Sequence, residues 1–87
     1  MIGINSTWFK NNGKIGENAN NLPAGVSSAY LGASASSYNY PYEYSIVLTF
    51  VANDGLKIQI ATNSDRHNPH ISYRLNWDGW SSWKQIS

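Results

Sequence analysis

The sequence predicts an all-β fold, a small antiparallel sheet or sandwich whose C-terminal half is a hairpin meander. Two observations carry this. Residues 42–62 and 71–86 alternate apolar and polar with a period of two, as half-buried strands do. Each alternating stretch is interrupted by a tight-turn sequence, first Asn53-Asp54-Gly55 and then Asp78-Gly79. A third observation is negative. The best helical candidate is a short turn at residues 6–11, and Asn11-Asn12-Gly13 stops it at once.

Taken in order, residues 18–24 (NANNLPA) read as loop, where Pro23 lacks a backbone donor. Residues 25–35 are rich in small side chains, and Val26, Tyr30 and Leu31 mark a short strand there. Residues 34–41 (SASSYNYP) read as an exposed loop carrying tyrosines. In residues 42–52, Tyr42, Tyr44, Ile46, Leu48, Phe50 and Ala52 share one strand face. The other face, with Val47 and Val51, is half apolar, as suits a central strand covered on both sides. Residues 56–62 alternate again and close the hairpin. The polar stretch 63–70 (NSDRHNPH) is a loop. Ile71, Tyr73, Leu75 and Trp77 then alternate with polar residues. After the Asp78-Gly79 turn, residues 80–86 return as a strand with Trp80 and Trp83 on opposite faces.

Composition narrows the function. The chain has 87 residues, room for one core. It has no cysteine, which excludes disulfides and thiolate metal sites. Net charge is +1, so an electrostatic nucleic-acid binder is not expected. Only 13% of residues are charged, while Asn and Ser together supply 23 of the 87. Aromatics reach 14%. Few charges with many amides, hydroxyls and aromatic rings suit an extracellular β domain that stacks on neutral polar ligands. No apolar run approaches the roughly 20 residues of a membrane helix, so no membrane insertion is expected. Residues 1–5 lack a signal-peptide pattern.

No catalytic residue, metal or cofactor is expected. Asp54 and Asp78 precede glycines and belong to turns, and Glu17, Glu43 and Asp65 carry no mark of pairing. His67 and His70 with Asp65 are too few for a metal site in one chain, and a solvated turn accounts for them. Tyr73, Arg74, Trp80 and Trp83 read as a structural aromatic cluster, with Arg74 bracing a tryptophan by cation–π contact. A sugar-stacking platform is the competing reading. Ligand contacts are expected instead at Tyr38, Tyr40 and Tyr42 in the loop and at Trp77. Arg66, His67 and His70 are available for a phosphate-bearing glycan. Tyr38 and Tyr40 have no strand to bury them, and loops on rigid scaffolds carry much of a domain's recognition.

The ending carries a resemblance. Tyr73-Arg74 followed by Gly79-Trp80-Ser81-Ser82-Trp83-Lys84-Gln85-Ile86 is similar to the close of the knob-type domains at the C-termini of phage tail fibres and pyocin tail proteins. Asn21-Leu22-Pro23-Ala24-Gly25 resembles an upstream turn of that family. The likeness spans roughly residues 20 to 87 and implies a single knob domain. Residues 1–20 are then open to a role as the connection to an upstream fibre segment. It implies a homotrimeric, non-enzymatic receptor-binding tip on a virion tail that engages a host-surface saccharide. Trimer burial would also offset the small size of the chain. The alternatives are a carbohydrate-binding module of a secreted hydrolase and a purely structural trimerisation tip.

Overall fold

A computed structural model describes residues 10–52 and 55–86. It contains one six-stranded sheet in the order β1-β2-β3-β4-β5-β6, so spatial neighbours are also sequence neighbours. The strands are β1 (Asn11–Lys14), β2 (Gly25–Tyr30), β3 (Tyr44–Val51), β4 (Lys57–Thr62), β5 (Ile71–Asn76) and β6 (Lys84–Gln85). The all-β expectation holds, as does the meander from β3 to β6. Among the described residues there is no α-helix, only three single-turn 3-10 segments, and no second sheet that would make a sandwich. The sheet is mixed, because β1 runs parallel to β2 while every other pair is antiparallel.

β1 is a correction. Asn11 to Gly13 was expected to stop a helical turn, whereas it forms an edge strand; residues 6–9 of that expected turn lie outside the described residues. The entry into β2 fixes the pairing. Gly25 sits at φ +122, and a Cβ there would collide with the Lys10 carbonyl. That carbonyl accepts the Val26 N–H at 2.8 Å. Asn12 Nδ2 donates to the Ala24 carbonyl at 3.2 Å and ties β1 to the preceding loop. Within the stretch 1–20, therefore, Asn11–Lys14 belongs to the sheet and Ala19 to the core.

The hairpin of β3 and β4 has the register that the alternation predicts, with Val51 opposite Lys57. Of its turn, Asn53 and Asp54 lie outside the described residues. The β5–β6 turn follows the sequence too: Asp78 has φ 63 and Gly79 φ 127, and Gly79 N–H donates to Asn76 Oδ1. Beyond it the expected strand 80–86 shrinks to an isolated bridge between Asn76 and Trp80 and the two residues of β6.

The two sheet faces differ in a way alternation alone does not reveal. One face carries Ser27, Ala29, Ser45, Val47, Thr49, Gln59, Ala61, Ser72 and Arg74, all buried. Residues 15–24 and 31–42 lie across it and contribute Ala19, Leu22, Ala35 and Tyr40 to the core. Among the described residues seven apolar ones are buried, and four of these are alanine. Small side chains let a loop approach closely, and polar ones meet the loop's backbone groups, which must be paired once buried. The other face carries the bulk. Val26, Leu48, Ile60 and Tyr73 form one row across β2 to β5. Ile46, Thr62 and Ile71 form the next. Ile46, Ile58, Ile71, Tyr73 and Leu75 are each exposed. Tyr73, expected within the buried aromatic cluster, is 41% exposed and points away from Arg74.

Candidate functional site

The site is built on the covered face, around a polar row. Register places Thr49, Gln59 and Arg74 side by side on β3, β4 and β5. Gln59 is fully buried and saturated. Its Nε2 donates to the Ala19 carbonyl at 2.8 Å and to Thr49 Oγ1 at 3.2 Å. Its Oε1 accepts from Arg74 Nε at 2.8 Å. One amide thus anchors the covering loop and orients the guanidinium.

Arg74 is 4% exposed. Its guanidinium carbon lies 3.9 Å from the Trp80 ring centroid and 4.7 Å from that of Trp83. Both indoles therefore meet the same cation. The expectation that Trp80 and Trp83 lie on opposite strand faces fails because residues 77–83 leave regular strand geometry. Arg74 does make the cation–π contact expected of it. Trp83 is fixed further, as its Nε1–H donates to the Asn39 carbonyl at 2.8 Å. Asn39, at φ 67, closes a 3-10 turn, and its Nδ2 donates to Asn18 Oδ1.

No carboxylate of the described residues forms an ion pair with Arg74. Burial lowers its pKa from the usual guanidinium range to about 10, against an upward pull from Tyr40. Tyr40 itself is pushed up to about 12, by burial first and then by the negative charge of Glu17, with Arg74 pulling it down. Its hydroxyl donates to the Glu17 carbonyl at 2.7 Å.

Around this group lies a cleft of about 460 Å³, lined by Asn20, Ser36, Asn39, Tyr40, Arg74, Trp80, Ser81, Ser82 and Trp83. Two of its lining residues hold a buried side-chain atom without a hydrogen-bond partner, Arg74 Nη2 and Asn20 Oδ1. Neutral amides, hydroxyls, two indoles and one cation make up the wall.

The residues singled out from sequence separate. Tyr40 is 4% exposed and belongs to the core, which corrects its place in an exposed loop. The 34–41 loop begins at the end of one 3-10 turn, Gly32–Ser34, and contains a second, Ser36–Tyr38, and residues around it lie over the sheet's polar face. Tyr38 does remain exposed. Tyr42 is half-buried; its hydroxyl shares a 2.6 Å hydrogen bond with Ser72, and its ring stacks on His70. Arg66 and His67 are exposed on the 63–70 loop, which Asn63 and Asp65 lock by bonds to the His70 and His67 N–H groups. Trp77 is 62% exposed, at the opposite end of β5 from His70. Six residues of strand put about 20 Å between those ends. Tyr42 and His70 come together, but they do not share a site with Trp77.

Asn20, Ser36, Asn39, Gln59, Ser81 and Ser82 were missed. For Ser81 and Ser82 the signal existed, since they lie inside the Gly-Trp-Ser-Ser-Trp motif. Among the described residues no three His, Asp or Glu side chains converge on a common point. Comparison with family models, curated proteins and solved structures finds no match for this chain.

Proposed function

We propose that this chain is a non-enzymatic, saccharide-recognising tip domain of a phage tail fibre or phage-like tail protein, working as a homotrimer outside the host cell. The observation that carries the reading is the division of labour between the faces. The chain folds its own loops over small and polar residues and leaves its larger aliphatic side chains on an exposed, nearly continuous sheet surface. Monomeric proteins rarely expose broad apolar patches of this kind. Copies of the same chain packed on that surface around an axis would cover it and add to a core whose described residues are mostly small. The opposite side then faces outward with its neutral amides, hydroxyls and aromatic rings, the chemistry that meets a pyranose.

The ending from Tyr73 to Ile86 supports the same reading through its likeness to fibre knobs. A monomeric carbohydrate-binding module of a secreted hydrolase is the second reading. The cleft around Arg74 favours it, being built from one chain alone. The experiment is binding of the domain to host cell-wall glycan, with Tyr38→Ala and Trp77→Ala as variants of exposed aromatics. Retention of the wild-type protein and loss in one variant would support saccharide recognition. No retention of a folded wild-type protein on any cell-surface glycan would overturn it.

A further inference from the structure

The buried Arg74 does more than brace two tryptophans. A buried cation without an anionic partner is costly, and a buried donor or acceptor left unpaired is costly as well. Both occur in the same cleft. Arg74 Nη2 lacks an acceptor and Asn20 Oδ1 lacks a donor; both atoms are buried, and both residues line the cleft. Gln59 satisfies Nε alone and holds the guanidinium fixed, with its charge uncompensated. A carboxylate is the planar anion that a guanidinium edge recognises best. Beside it, the Asn20 carbonyl oxygen and the Ser81 and Ser82 hydroxyls match sugar hydroxyls, and the indoles offer apolar faces.

We infer that this cleft binds a carboxylate-bearing saccharide, with the carboxylate on Arg74 Nη2 and a ring hydroxyl donating to Asn20 Oδ1. The inference rests on the saccharide-recognition reading above and narrows its ligand to acidic sugars. Nη2 is buried and both indoles lie against the guanidinium carbon, so one ring must shift to admit the ligand. Trp83 is held by its bond to Asn39. Trp80 has no such bond among the described residues, and a single bridge joins it to β5. Trp80 is therefore the ring that moves.

The test is a two-dimensional NMR titration of the intact protein with D-glucuronate, D-glucose and acetate. The indole N–H signals of Trp80 and Trp83 and the Arg74 Nε–H are followed. Glucuronate is expected to shift all three signals and to bind about tenfold or more tightly than glucose or acetate. Glucose binding as tightly as glucuronate would overturn the carboxylate assignment while leaving saccharide recognition standing. Acetate binding as tightly would leave an anion site and overturn its sugar selectivity. No shift with any of the three would overturn the site. Substitution of Arg74 endangers the fold through Gln59, so the variant of choice is Asn20→Asp. It places a carboxylate of the same shape in the cleft. Glucuronate affinity is expected to fall about tenfold or more in a folded protein. Unchanged glucuronate binding in Asn20→Asp would overturn the proposal.

Discussion

Gln59→Met removes one side-chain amide and nearly conserves volume, so it isolates hydrogen bonding from cavity formation. In the native fold that amide makes three bonds, to the Ala19 carbonyl, to Thr49 Oγ1 and from Arg74 Nε. The substitution leaves the Ala19 carbonyl and the Arg74 Nε–H buried and unpaired. An orphaned buried group costs roughly 1–3 kcal/mol, with more for a charged one. The expected loss is therefore about 3–6 kcal/mol. An 87-residue domain has a total stability of roughly 4–13 kcal/mol. Near the transition, 1 kcal/mol corresponds to about 5 °C for this chain length. Thermal melts followed by circular dichroism at one fixed protein concentration should show Tm lowered by about 15–30 °C, or no folded state at all. A drop below about 5 °C would refute the claim that a polar row, rather than apolar packing, fastens the loops to the sheet.

Three further outcomes follow from the same structure. Gly25→Ala should cost at least about 1–3 kcal/mol, since it adds a Cβ against the Lys10 carbonyl at positive φ. Gly16→Ala, with open space at its Cβ, should cost far less in the same urea titration. Tyr40 should deprotonate well above the ordinary phenol value, at about 12. Below pH 10 it is neutral folded or unfolded; above that the unfolded chain ionises first, so the stability it contributes is lost as pH rises toward about 12. Arg74 acts oppositely, because its lowered pKa makes its burial less costly as pH climbs through about 10. Tyr40→Phe should thus gain Tm relative to wild type as pH is raised above 10, and a constant difference would contradict the assignment. Tyr73→Lys, at the β5 end of an exposed apolar row, should shift the protein toward monomer in sedimentation while leaving its circular dichroism unchanged.

The strands were legible because a period of two survives in residues 44–62 and 71–76 whatever covers them. The turns at Gly55 and Gly79 were legible because positive φ selects glycine. Which face is covered was not legible. Alternation identifies two faces, and bulk suggests that Ile46, Leu48 and Ile60 are the buried set. A sheet roofed by its own loops reverses that rule, since Ser45, Thr49 and Gln59 suit a roof of backbone. Tyr40 was misplaced for the same reason: a loop tyrosine looks free until the loop is known to lie on the sheet. The pairing of Trp80 with Trp83 was hidden because residues 77–83 abandon the strand period, and parity then says nothing about direction. Arg74 was legible as a cation–π partner from its neighbours in sequence. That its Nη2 lies buried and unpaired, in a residue that shares a cleft with Asn20 more than fifty positions away, leaves no mark in the sequence.

The central claim is that the exposed apolar face is an interface between copies of this chain. The most direct measurement is the solution mass at micromolar concentration by light scattering coupled to gel filtration. The account predicts three times the 9.7 kDa of one chain. A stable, folded, monodisperse species at 9.7 kDa would contradict it.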